Sequence, residues 1–244
     1  MSPKNIKLTI EYDGTEYAGW QIQPDVKTVQ GEIEKALRTI LQQNIRIISA
    51  GRTDSGVHAI NQVVNFTCQN SINKKQLKKS LNSLLPDDIV IKDVVEVPEN
   101  FNARYDAKSR KYKYIISKYK RALNRLYSWY VPYKLDILAM KKAAKYLIGE
   151  KDFTSFSKKY PEETNCTCKI EKIDIKNSDE EITITIVANR FLHSMVRIIV
   201  GILVETGKGR FAPEDIKKII EEKNFKYNKY LAPAKGLFLE NITY

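Results

Sequence analysis

The spacing of apolar residues changes along the chain in an order that then repeats, and this order restricts the fold more than any single motif. Ile6, Leu8, Ile10 and Tyr12 alternate with Lys7, Thr9 and Glu11, the period of a strand with one buried face. Thr28 offers a side-chain oxygen to a helix start, and Val29, Ile33, Ala36, Leu37, Ile40 and Leu41 then share one helical face. Short strands are expected over 45–48 and over 61–67, the second carrying Val63, Val64 and Phe66. Asn73 caps a second helix with Leu77, Leu81, Leu84 and Leu85 on its apolar side, and Pro86 stops it. Residues 89–97 return as a strand, which completes the order β-α-β-β-α-β.

The second half repeats that order. A strand is expected over 111–117, then a helix capped by Asp136, carrying Met140, Ala143, Ala144 and Leu147 and ended by Gly149. Strands over 170–175 and 181–187 are joined by a polar turn. A helix over 191–206 ends at Gly207, a short helix with Pro213, Glu214 and Asp215 near its start follows, and 236–243 is the last strand. The chain therefore reads as α+β, two tandem split-βαβ units of ferredoxin-like or RNA-recognition-like order. A broad, mainly antiparallel sheet with helices on one face and a central catalytic cleft is expected. The division falls between 1–105 and 106–244, with no linker of flexible composition.

Composition narrows the partners. Lys and Arg exceed Asp and Glu by 41 to 29, a net charge of +12, which suits a polyanion such as nucleic acid. A lysine-rich proteome would give the same excess on ordinary surfaces, so charge alone leaves both readings open. Cys68, Cys166 and Cys168 are too few and too odd in number for a disulfide framework, which fits the reducing cytoplasm. His58 and His193, the only histidines, lie far in sequence from the Cys166/Cys168 pair, so no metal site is expected. The N-terminus lacks an apolar leader-like run, and the apolar stretch 198–204 is too short to span a bilayer, so no membrane partner is expected.

Two features invite chemistry. Gly51-Arg52-Thr53-Asp54-Ser55-Gly56 lies between two expected strands, and its glycines let the backbone turn sharply and approach a ligand. An Asx turn, in which Asp54 bonds its own backbone, explains the same residues without function. Lys108, Arg110, Lys111, Lys113, Lys118, Lys120 and Arg121 interleave with Tyr112, Tyr114 and Tyr119, and Lys74, Lys75, Lys78 and Lys79 line the polar side of a helix. Such clusters contact phosphates without reading sequence.

The stretch Ser49-Ala50-Gly51-Arg52-Thr53-Asp54-Ser55-Gly56-Val57-His58-Ala59 closely resembles the catalytic motif of the tRNA pseudouridine synthase A family. Residues 11–21, 101–107 with 110–114, 151–156, 188–197 and 232–239 resemble that family's other motifs, in family order. Ser55 stands where alanine is more usual, Ser194 where a second histidine is common, and Arg190 where a small residue is frequent. The resemblance implies an isomerase that converts uridine to pseudouridine in tRNA, in the anticodon stem-loop, without a cofactor and as a homodimer. It implies Asp54 as nucleophile, Arg197 as the partner that keeps Asp54 ionised, and Tyr112 as the ring that stacks on the base and helps remove the C5 proton. Leu237 would pack against the base, Arg52 would fill the space of the extruded nucleotide or hold its phosphate, and Arg110, Lys111 and Lys113 would bind RNA. Taken alone, Arg197 reads as a solvated helix charge, and Tyr112 and Leu237 read as core. A non-catalytic RNA-binding protein would share the fold and the charge. It has no use for Asp54 in a basic cleft together with Tyr112 and Arg197, and a two-metal nuclease would need clustered carboxylates that are not seen.

Overall fold

The computed structural model describes residues 3–69, 72–158 and 165–244. In chain order the elements are β1 (Lys4–Tyr12), α1 (Val29–Leu41), β2 (Ile48–Ser49), β3 (His58–Cys68), α2 (Lys74–Leu84), β4 (Ile89–Val97), β5 (Ser109–Ser117), β6 (Trp129–Tyr130), α3 (Ile137–Leu147), β7 (Gly149–Asp152), β8 (Thr167–Asn177), β9 (Glu181–Ala188), α4 (Met195–Gly207), α5 (Asp215–Glu222) and β10 (Leu237–Thr243). This is an α+β fold, and most strand pairs are antiparallel. By packing, Met1–Lys108 with Phe238–Tyr244 form one unit and Ser109–Leu237 form the other.

In the first unit β1 lies between β4 and β3, antiparallel to both. The outer edge of β3 is shared. β2 pairs with it at Asn65 and Val64, and β10 runs parallel to it at His58 and Ala59. The sequence order places this last strand at the end of the second repeat, but its pairing with β3 is non-local and leaves no local trace. Ile6, Leu8 and Ile10 point inward with Val64 and Phe66, so the alternation in β1 is the signature of one buried face. Thr28 accepts from the Gly31 amide and Asn73 from the Gln76 amide, so both expected caps form.

In the second unit β9 lies between β5 and β8, and β7 extends the edge beyond β8. Asp136 caps α3 through the Ala139 amide. That helix ends at Leu147, and Gly149, with φ of +103°, opens β7 and does not itself cap the helix. Helix α4 starts at Met195, not at 191, because Ser194 adopts φ of +58°, a left-handed conformation no α-helix contains. Every residue of α4 from Met195 to Gly207 is buried except Arg197. A helix apolar all round belongs in a core, so its one arginine is placed for a reason other than solubility.

Candidate active site

The loop between β2 and β3 carries Asp54 and is held from several sides. Ala50 donates its amide to Val63 O at 2.9 Å, and Gln62 Nε2 donates to Gly51 O at 2.8 Å, anchoring the entry to β3. Thr53 shares a 2.8 Å hydrogen bond between its Oγ1 and the Tyr12 hydroxyl, at the end of β1. That tyrosine is fully buried, and burial pushes its hydroxyl well above the ordinary tyrosine range, so it stays protonated. Val57 donates its amide to Asp54 O at 3.2 Å, closing a tight turn around Ser55 and Gly56, whose φ is +75°.

The segment after β1 forms the seat beneath this turn. The Trp20 amide donates to Thr53 O at 3.0 Å, and Ser55 Oγ donates to Tyr17 O at 3.1 Å. A Cβ on Gly19 would stand 2.8 Å from Thr53 O and 3.2 Å from the Asp54 carbonyl carbon, and one on Gly14 would stand 2.0 Å from Val57 O. These two glycines let the seat touch the backbone of the Asp54 turn directly. Tyr17 and Trp20 pin the seat from below with side chains 2% and 1% exposed. The Tyr17 hydroxyl donates to Asp88 Oδ1, and burial and that carboxylate raise its pKa. His58 Nδ1 lies 3.1 Å from the Gly14 amide and 2.9 Å from Asp13 Oδ1, while its ring stacks on Phe238. One nitrogen cannot accept from Gly14 and donate to Asp13 at once, so the imidazole tautomer decides which bond exists. Asp54 itself is half-buried, and Arg52 is exposed beside it.

The second unit holds the other residues. Tyr112, Tyr114 and Ile116 face inward from β5, while Lys111 and Lys113 face outward and are half-buried, as strand alternation requires. Tyr112 is 7% exposed and meets Phe191 edge-to-face at 5.1 Å. Tyr114 is wholly buried, donates its hydroxyl to Pro233 O at 2.8 Å, and has its pKa raised by burial, with the Arg197 charge opposing. Arg197 is gripped twice by one residue: its Nε donates to Ala232 O at 2.8 Å, and the Ala232 amide donates back to Arg197 O at 3.2 Å. The grip fixes the plane of the guanidinium. Arg110 Nη1 donates to Asn189 O at 2.6 Å, and Leu237 is 5% exposed at the start of β10.

Asp54 and Arg197 are marked in the sequence by motif resemblance, but the groups that hold them are not. Of the supports, only Gly14 and Gly19 leave a readable sign, two glycines within a motif otherwise rich in aromatic and polar residues. Among the described residues, no three His, Cys, Asp or Glu side chains converge to hold a metal ion. No described helix is long and apolar enough to cross a membrane.

Asp54 thus sits on a glycine-seated turn of the first unit, and in the second unit Arg197 is clamped near the start of a buried helix and Tyr112 points inward. The tRNA pseudouridine synthase family profile matches residues 8–106 and 143–244, and the chain belongs to that family. More particularly, it is 44% identical over 243 residues to the tRNA pseudouridine synthase A of Caldicellulosiruptor bescii, covering 99% of this chain and 100% of that one. It is 46% identical over 247 residues to the protein of the same name from Fervidobacterium nodosum, again covering 99% and 100%. The corresponding protein of Chlorobium phaeobacteroides is 43% identical over 242 residues, covering 99% of this chain and 94% of that one.

Proposed function

We propose that this chain isomerises uridine to pseudouridine in the anticodon stem-loop of tRNA, just after the anticodon, with Asp54 as nucleophile and no cofactor. The observation that supports this best is the seating of the Asp54 turn, where direct backbone contact at Gly14 and Gly19 fixes the turn that carries this half-buried residue. Fixed geometry of this kind is what a reaction at a single sugar carbon needs. The bond from N1 of uracil to ribose C1′ breaks, the base turns, and a bond from C5 to C1′ forms. The C5 proton is released and N1 gains one, so atoms and electrons balance within the substrate. Whether Asp54 acts at C1′, at C6 of the base or on a ribose proton, it must be ionised and close to the sugar.

In this reading the Arg197 guanidinium, oriented by Ala232, pairs with Asp54 and favours its ionised form. Tyr112 stacks on the extruded base and assists removal of the C5 proton, and Leu237 packs against the base. Arg52 fills the gap left by the extruded nucleotide or holds its phosphate, and Arg110, Lys111 and Lys113 contact the RNA backbone. The protein works as a homodimer in the cytoplasm, with one tRNA touching both copies. The test is to incubate the protein with unmodified tRNA and map pseudouridine along the product. Pseudouridine should appear just after the anticodon. Formation elsewhere would overturn the assignment of the stem-loop, and no pseudouridine would overturn the activity.

A further inference from the structure

We propose that Tyr12, Gln62 and Thr53 form a buried polar brace that fixes the register of the turn before β3, so that Arg52 and Asp54 are both held in place by it. The three are positioning residues, and the assignment rests on the reading of Asp54 as the nucleophile.

Strand β3 breaks its own pattern where the brace lies. Phe66 stands opposite Ile6, Val64 opposite Leu8 and Gln62 opposite Ile10, and paired residues of this kind share one face of the sheet. All of them are buried, and Gln62, with no exposed surface, is the one polar member of the row. The register then slips. Ile10 pairs with Gln62 but Tyr12 pairs with Ala59, so three steps of β3 answer two steps of β1. The extra residue makes a bulge directly after the Asp54 turn, a device that re-aims side chains.

The polar groups form a chain. Gln62 Nε2 carries two hydrogens, and one goes to Gly51 O at 2.8 Å. The same side chain hydrogen-bonds the Tyr12 hydroxyl. Gln62 Oε1 already accepts from the Val63 amide at 3.2 Å, so the second Nε2 hydrogen serves Tyr12. The Tyr12 hydrogen is then left for Thr53 Oγ1, 2.8 Å away. The chain therefore ends on residues 51 and 53. Arg52 between them is exposed, and Asp54 follows directly. Trp20, which donates its amide to Thr53 O, has its ring 5.9 Å from that of Tyr12, so the seat and the brace meet at Thr53.

Stability alone does not ask for this trio. Apolar residues of the same shape would fill the space at little cost, whereas each buried amide or hydroxyl must find a partner. The polar chain adds direction, because a hydrogen bond is angular and an apolar contact is not.

Tyr12→Phe removes one oxygen and keeps the ring. Single-turnover pseudouridine formation at saturating tRNA should fall about tenfold, with tRNA affinity within about twofold of wild type. Thr53→Val, which keeps the shape without the hydroxyl, should fall equally, and Thr53→Ser, which keeps the hydroxyl, should stay within about threefold of wild type. The two losses should not multiply in Tyr12→Phe/Thr53→Val, because both remove one bond. Amide hydrogen exchange of residues 51–57 reads the brace without turnover and should quicken about tenfold in Tyr12→Phe. The proposal is overturned if Tyr12→Phe keeps the wild-type rate, if Thr53→Ser falls as far as Thr53→Val, if the losses multiply, or if exchange is unchanged. Should Tyr12→Phe not fold, the two single Thr53 variants decide. A wild-type protein that forms no pseudouridine would defeat the functional reading, while hydrogen exchange would still decide the brace.

Discussion

A methyl group on Gly14 would stand 2.0 Å from Val57 O and 2.7 Å from the carbonyl carbon of Val57. Real Cβ atoms do not come within 3.0 Å of such a neighbour, so the gap must open by about 1 Å. Neither side yields freely. Gly14 is tied by its carbonyl to the Tyr17 amide and packs its amide 3.1 Å from His58 Nδ1, and Val57 is buried and bonded to Asp54 O. The displacement therefore passes into the Asp54 turn. Gly14 does not have a positive φ, so the effect of Gly14→Ala is steric and not a backbone penalty. A misplacement of about 1 Å costs on the order of 100-fold in rate, and forcing a methyl into a packed site costs about 1–3 kcal/mol of stability. Single-turnover pseudouridine formation at saturating tRNA should fall by about that 100-fold factor. Denaturant unfolding should show the stability loss, and tRNA affinity, which depends on charges elsewhere, should stay within about threefold of wild type. A folded Gly14→Ala protein with the wild-type rate would refute the reasoning that the seat fixes the nucleophile.

The remaining predictions concern charge. Arg197→Met should lower single-turnover rate by about 100-fold or more while leaving tRNA affinity nearly intact, and equal losses in rate and affinity would contradict a role in holding Asp54 ionised. Affinity for tRNA should fall by about 0.7 to 0.9 log units per log unit of salt for each phosphate contacted; Lys111→Gln should reduce that slope by about one contact, and a flat salt response would make the basic clusters ordinary solvated surface. Asp152 gives a stability test. Burial pushes its pKa up, but hydrogen bonds from Thr154 and the Lys223 ion pair at 2.9 Å outweigh this, and the net shift is downward. A lowered folded-state pKa stabilises the fold above the unfolded value, about pH 3.9, and that stability is lost as pH falls through the folded value. Asp152→Asn should therefore be less stable than wild type at neutral pH, with the difference closing in acid below about pH 4; a constant difference across that range would exclude the linkage.

Local signals carried much of the fold. Thr28, Asn73 and Asp136 are legible as caps because a short polar side chain stands directly before an apolar helical period, and each caps the helix it announces. The start of α4 was not legible: Phe191 and Leu192 continue its apolar spacing, and the break lies in the backbone angle of Ser194, a residue with no glycine to mark it. The extra edge strand β7 leaves no local signal, because Gly149-Glu150-Lys151-Asp152 has no apolar alternation and pairs as a strand with β8. Asp54, Arg197 and Tyr112 stand out by motif resemblance, since each taken alone fits a turn, a surface charge or a core ring. Their supports come from distant segments: Tyr12 on Thr53, Gly14 on Val57 and Ala232 on Arg197. Such pairs are set by tertiary packing, which no local pattern reports.

The most direct test of the central claim is release of tritium from tRNA labelled at uridine C5. Forming the bond from C5 to C1′ expels the C5 proton, so each turnover frees one label. The wild-type protein should release tritium, and Asp54→Asn, with the same shape and no nucleophilic carboxylate, should release none above background while still binding tRNA. Release by Asp54→Asn at the wild-type rate would contradict the account at its centre.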